Sequence, residues 1–297
     1  MSNIAEKLDA YKSYFEDTLN GYFDGMSQNG APEEPVFSAV RYSVENGGKR
    51  IRPILVYLGA EIAGGRKEDV KELAIAIELI HGYSLVHDDL PSMDNDTLRR
   101  NKPTTHVKFG EGMAVLTGDA MLNLAYESVL SKENITEKDV KALAYMAKRA
   151  GIYGMIGGQC IDIRDNEKKN MRFESLTELY ELKTSMLIGA ALVSGAIAVG
   201  AESGLVSALE LYAKNVGIVF QIVDDILDIT STEEILGKNI NSDKKLGKLT
   251  ILDFVTLDEA KEYIEELGKE VRDALKPFGD SADELIELEK YLSSRKK

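Results

Sequence analysis

Apolar residues return every three or four positions through almost the whole chain, and strand-like alternation nowhere persists beyond a few positions. That pattern predicts a nearly all-helical protein. Helices are expected over residues 3–23, 35–46, 51–63, 69–90, 111–130, 137–156, 175–199, 204–229, 257–275 and 281–294. Loops are expected where Gly, Pro, Asn and charge cluster, at 26–34, 64–68, 95–109, 164–172 and 230–248. None of these has the composition of a linker, so residues 1–297 are expected to form one domain.

Composition fits that picture. With 297 residues, 44% hydrophobic and 29% charged, the chain can build a large core without disulfides. The single cysteine, Cys160, has no partner within the chain, and the N-terminal segment lacks the pattern of an export signal, so a reducing cytoplasm is expected. A net charge of -14 argues against broad attraction to nucleic acid or anionic lipid. The longest apolar stretch, 186–200, is shorter than the ~20 residues of a spanning helix and is expected to be a buried core helix, with no membrane span.

Two predicted helices run into aspartate pairs. In Phe220-Gln221-Ile222-Val223-Asp224-Asp225-Ile226-Leu227-Asp228, the spacing puts Gln221, Asp224 and Asp228 on one helical face, between apolar neighbours. Unpaired carboxylates are costly to bury, so these acids need a cation or must neutralise. The other helix leads through Ile77, His81 and Ser84 on one face to Asp88-Asp89-Leu90-Pro91-Ser92-Met93-Asp94. On a straight helix Asp94 would point away from Asp88, whereas a break near Pro91 would let it curl back. Oxygen-only donors favour Mg²⁺ over zinc, and Mg²⁺ completes its shell with water and substrate phosphate. A calcium-loop reading of 88–96 fails for want of the glycine turn and the distal glutamate.

Basic residues stand near these acids in sequence. Gly47-Gly48-Lys49-Arg50-Ile51-Arg52-Pro53 opens a helix, where backbone N–H groups and cations suit an anion. Arg99-Arg100 follows the first motif, and Lys183-Thr184, Lys238 and Lys248 add phosphate candidates. Two separable cationic groups suggest two diphosphate substrates. Each feature has an ordinary counterpart: an acidic pair is commonly a solvated face, a basic run an ordinary helix start, and a lone His81 a core histidine. Two aspartate motifs, each ending an apolar helix, favour metal binding. The basic cluster alone fits either account.

Together, residues 47–53, the run from His81 to Asp94, Arg99-Arg100, Gly154-Met155-Ile156-Gly157-Gly158-Gln159, Lys183-Thr184, 220–228 and Gly237-Lys238 resemble the trans-type polyprenyl diphosphate synthases, above all the bacterial farnesyl diphosphate synthases. The motifs come in family order and span nearly the whole chain. The resemblance implies an all-α fold, an isoprenoid-synthase-type bundle of antiparallel helices around a deep central apolar pocket, in a homodimer. It implies Mg-dependent head-to-tail condensation of isopentenyl diphosphate with dimethylallyl and then geranyl diphosphate, giving farnesyl diphosphate and pyrophosphate.

Carried over by resemblance, Lys49, Arg52, His81 and Arg100 would hold isopentenyl diphosphate. Asp88, Asp94 and Asp224, helped by Asp89, Asp225 and Asp228, would bind three Mg²⁺ ions through the allylic diphosphate. Arg99, Lys183, Lys238 and Lys248 would hold that diphosphate, with Thr184 and Gln221 facing the allylic carbon. Tyr83, five residues before Asp88 and ~7.5 Å along a helix, would floor the product pocket, and Ser84 leaves room beside it.

Two departures from the family stand out: Asn241 where relatives have glycine, and Thr250-Ile251-Leu252 in place of Thr-Tyr-Pro; neither falls on an expected metal ligand. Alternative products are geranyl or geranylgeranyl diphosphate. A class I terpene cyclase would lack the isopentenyl site to which Lys49, Arg52 and Arg100 point, and a non-catalytic synthase subunit should have lost acids that are all present here.

Overall fold

A computed structural model describes residues 4–26, 33–164, 172–230 and 249–295. The helices are α1 (Ile4–Met26), α2 (Glu34–Glu45), α3 (Ile51–Ile62), α4 (Lys71–Asp88), α5 (Thr105–Phe109), α6 (Glu111–Leu130), α7 (Glu137–Ala150), α8 (Met155–Arg164), α9 (Phe173–Tyr180), α10 (Met186–Val199), α11 (Ser203–Thr230), α12 (Leu257–Leu275) and α13 (Asp283–Ser293). Two-residue strands β1 (Leu98–Arg99) and β2 (Lys102–Pro103) make an antiparallel hairpin. The fold is all-α, as the three- and four-residue spacing requires.

The chain divides into two compact units, Met1–Met146 with Ser194–Gly200, and Ala147–Val193 with Ala201–Lys297. In the first, α4 is the central element. It packs on α3 and along the length of α6, and its residues Leu73 to Ile80 are buried without interruption, the acid Glu78 included. A helix that is apolar all round belongs inside a core. In the second unit α11 holds that place, packed on α12, α13 and the segment Glu181–Ser185, with Leu209, Tyr212, Val219 and Ile222 buried.

Differences from the expected elements have local causes. The helix expected over 137–156 stops at Ala150 and restarts at Met155. Gly154 lies so close to the turn before it that a Cβ there would stand 1.8 Å from the Arg149 carbonyl oxygen, a path open only to glycine. The helix expected over 175–199 contains a π-helical turn, Glu181–Ser185, which carries Lys183 and Thr184. Such turns insert one residue and rotate the side chains they carry. Within the loop expected at 95–109, Arg100 and Asn101 both take positive φ, 53° and 61°, the geometry of the two-residue turn that closes β1 onto β2.

Two stretches, Phe173–Val199 and Ser203–Asp228, are long and apolar enough to cross a membrane by length and composition. The first runs on through α9 and so exceeds the expected 186–200. In their most apolar windows 67% and 56% of residues are buried inside the protein, the pattern of core helices.

Candidate active site

In the first unit Arg50 of the first basic motif meets Arg99 and Arg100 of the second in one pocket, lined also by Glu78, His81 and Thr105, while Lys49 and Arg52 are not among its lining residues. The glycines 47 and 48 both take positive φ and bring the chain into α3. The Arg100 guanidinium lies against Gly48, where a Cβ would stand 2.7 Å from its Nη1. Arg52, on the first turn of α3, meets His81 of α4 across 3.3 Å, Nη1 to Nε2. Lys49 is exposed at the loop before α3.

Electrostatics in this pocket favour an anion. Burial, reinforced by Arg52, Arg100, Arg99 and Arg50, holds the His81 imidazole well below its ordinary value, so the ring is neutral at pH 7. Burial likewise lowers Arg52 to about 10, with Glu78 working the other way and Arg100 adding to the shift. The Arg52 Nε is buried and has no hydrogen-bond partner among the described residues. An unsatisfied buried donor of this kind is costly unless a ligand takes it up.

Arg50 was not a site candidate by sequence, yet it organises the pocket. Its φ is 53°, and its buried guanidinium donates to Glu78 Oε1 at 2.6 Å, Glu16 Oε1 at 2.8 Å and the Val44 carbonyl at 2.8 Å. The pair with Glu78 ties the start of α3 to the turn of α4 that precedes His81. No sequence signal distinguished Arg50 from Lys49 and Arg52.

The first aspartate motif follows the expected break. α4 ends at Asp88, two residues earlier than expected, because a residue preceding proline disfavours the helical region. The chain then turns back, and the Asp94 N–H donates to the Asp88 carbonyl at 2.9 Å. Asp88 is half-buried and Asp94 exposed. Asp89 faces elsewhere: it is buried and accepts from Arg99 Nε on both carboxylate oxygens at 2.9 Å. Burial works against the Arg99 charge, and Asp89 outweighs it, so Arg99 titrates above its ordinary value. Tyr83 is buried on α4, edge-on to His87 with ring centroids 6.0 Å apart, and Ser84 donates to the His81 carbonyl at 2.8 Å.

The second unit carries the other motif. Thr184 donates to the Gln221 side-chain oxygen at 3.2 Å, bringing together the two residues expected to face one carbon. Lys183 is held by Asp162 of α8 at 2.6 Å. Asp224 is paired with Arg295 at 2.6 Å. Asp225 is buried and accepts from the Tyr180 hydroxyl and, at 2.9 Å, from the Ile251 N–H. The departure at Ile251 therefore does reach one of the acids, contrary to expectation. Asp228 is buried. Asp162, Tyr180 and Arg295 had no sequence signal beyond charge or aromaticity. Lys238, Lys248 and Asn241 lie outside the described residues.

Within either unit, among the described residues, no three acidic, His or Cys side chains form a ready-made metal cluster. Asp89 and Asp225 are buried anchors held by Arg99 and by Tyr180 with Ile251, whereas the half-buried Asp88 and exposed Asp94, and Asp224 with Asp228 four residues apart on α11, are the carboxylates whose placement suits a divalent ion. All-oxygen donors too few to complete a shell fit Mg²⁺, which retains water and takes phosphate oxygens.

The polyprenyl synthetase family model matches residues 33–283. The chain belongs to that family. It is 40% identical to a geranylgeranyl diphosphate synthase of Cyanophora paradoxa, over 99% of this chain and 97% of the relative. Among solved structures it is similar to an apo FPP/GFPP synthase from Zymomonas mobilis, with a TM-score of 0.86 and 33% identity over 98% of this chain and 100% of the other. It is also similar to a geranyltransferase from Legionella pneumophila, with a TM-score of 0.84 and 35% identity over 98% and 97% of the two chains. As a polyprenyl synthetase it is a prenyltransferase, and its reaction is the condensation of isoprenoid diphosphates.

Proposed function

We propose that this polyprenyl synthetase makes farnesyl diphosphate, adding isopentenyl diphosphate to dimethylallyl and then geranyl diphosphate. The observation that carries the fifteen-carbon reading is Tyr83: a buried aromatic on α4, five residues before Asp88, where a growing chain held at that acid would meet it. The geranylgeranyl diphosphate synthase of Cyanophora paradoxa supports a second reading, a twenty-carbon product.

Lys49, Arg52 and Arg100 hold the diphosphate of isopentenyl diphosphate, and neutral His81 donates to it without adding charge. Asp88, Asp94, Asp224 and Asp228 would hold Mg²⁺, three ions in all, with Asp89 and Asp225 fixing their surroundings. When bound there, Mg²⁺ would supply charge neutralisation of the allylic diphosphate as a leaving group. Arg99, Lys183, Lys238 and Lys248 bind the same diphosphate and stabilise the charge that builds on it as the allylic C–O bond breaks. Thr184 and Gln221, hydrogen-bonded to each other, flank the cationic carbon. The isopentenyl double bond attacks that carbon to form the new C–C bond, and the resulting cation loses a proton to the departed pyrophosphate. No protein nucleophile takes part. The enzyme works as a homodimer in the cytoplasm.

Chromatography of products formed from isopentenyl and dimethylallyl diphosphates with Mg²⁺ tests this assignment. A dominant fifteen-carbon product supports it, and a dominant twenty-carbon product favours the second reading.

A further inference from the structure

Arg295 follows α13, yet its guanidinium is one of the most enclosed cations of the second unit. Its side chain is 7% exposed, against 40% for Asp224, its partner. Nη2 donates to Asp224 Oδ1 at 2.6 Å and to the Phe220 carbonyl at 2.9 Å, and the guanidinium carbon lies 3.8 Å from the Phe220 ring centroid. Phe220 and Asp224 are four residues apart on α11 and so lie on one face, which a single planar guanidinium spans. A lysine would lack both the fork and the plane.

We propose that Arg295 is a resident counter-ion of Asp224, holding this carboxylate where a divalent ion would otherwise bind and setting how tightly the second motif takes that ion. The inference rests on Asp224 being a Mg²⁺ ligand. Magnesium needs carboxylate oxygens at about 2.0–2.1 Å in strict octahedral geometry. A guanidinium 2.6 Å from one of those oxygens competes for its lone pairs and repels the incoming dication. The contact is also built to release. Arg295 Nε is buried with no hydrogen-bond partner among the described residues, so leaving the site restores a lost hydration.

Mn²⁺ serves as the spectroscopic stand-in, titrated by electron paramagnetic resonance into the full chain without isoprenoid substrate and again with inorganic pyrophosphate. Arg295→Met is expected to bind Mn²⁺ at least threefold more tightly than wild type. Asp224→Asn is expected to bind it more weakly, and the double variant should gain nothing over Asp224→Asn. Equal or weaker binding by Arg295→Met overturns the proposal while leaving Asp224 a ligand if Asp224→Asn is weakened. Wild-type affinity in Asp224→Asn removes the ligand assignment and the proposal with it. Circular dichroism checks each fold, and Arg295→Gln, which lacks the charge but keeps a polar head, replaces Arg295→Met should that variant not fold.

Discussion

The Asp94 backbone N–H closes onto the Asp88 carbonyl at 2.9 Å, so a main-chain bond in the turn after α4 links the two acids directly. Asparagine keeps the size of aspartate and leaves that main-chain bond intact. Asp88→Asn and Asp94→Asn should therefore fold like wild type by circular dichroism. Turnover should fall on the order of 10²–10³-fold in each, the size of one lost electrostatic stabiliser of a transition state. Steady-state kinetics at saturating Mg²⁺ measure this, and near-wild-type turnover in either variant would remove that acid from the chemistry.

Much of this was legible beforehand, and what was missed has a common cause. Helical period marks which face is buried, so α6 and α12 begin and end where spacing puts them. The turn at Pro91 was readable because proline acts on its immediate neighbours. By contrast, the split after Ala150 depends on how near Gly154 comes to Arg149, and glycine spacing alone does not reveal that approach. The pairs Lys183–Asp162, Arg50–Glu78, Tyr180–Asp225 and Arg295–Asp224 join residues 21 to 71 positions apart, beyond any local pattern. For the same reason the six acids looked alike in sequence, although Asp89, Asp224 and Asp225 turn out to be held by Arg99, Arg295 and Tyr180 respectively.

Asp89 and Arg99 provide a second test. Arg99→Ala leaves a buried carboxylate without its bidentate partner, and chemical denaturation should show a loss of about 1–3 kcal/mol. Arg99→Lys keeps the charge but cannot fork across both oxygens. Its KM for the allylic diphosphate should rise while KM for isopentenyl diphosphate stays near wild type. Equal rises in both would show that Arg99 does not discriminate between the two substrates.

His81 makes stability depend on pH. Because burial and the surrounding arginines lower its folded value, the unfolded chain takes up a proton below about pH 6.5 that the folded chain refuses. Stability should thus fall as pH drops through 6.5 towards the depressed folded value, by up to about 1.4 kcal/mol per pH unit from this residue. His81→Gln should flatten the profile of unfolding free energy between pH 6.5 and 5. A profile as steep as wild type would assign the slope to other groups.

Tyr83 separates bulk from polarity. Its hydroxyl is buried with no hydrogen-bond partner among the described residues, and burial, with Tyr126 and Asp88, raises it to about 12. Tyr83→Phe should keep both stability and product length, since it removes only an unsatisfied group. Tyr83→Ala should cost about 3–5 kcal/mol and lengthen the product. Product chromatography and thermal unfolding of the pair check this, and an unchanged product from Tyr83→Ala would remove Tyr83 as the floor.

Supplying purified enzyme with Mg²⁺, isopentenyl diphosphate and dimethylallyl diphosphate, and following both pyrophosphate release and product length, tests the central claim most directly. Condensation should proceed, with pyrophosphate release strictly dependent on isopentenyl diphosphate and a product of mainly fifteen carbons. Cyclisation of geranyl or farnesyl diphosphate alone, without condensation, would contradict it.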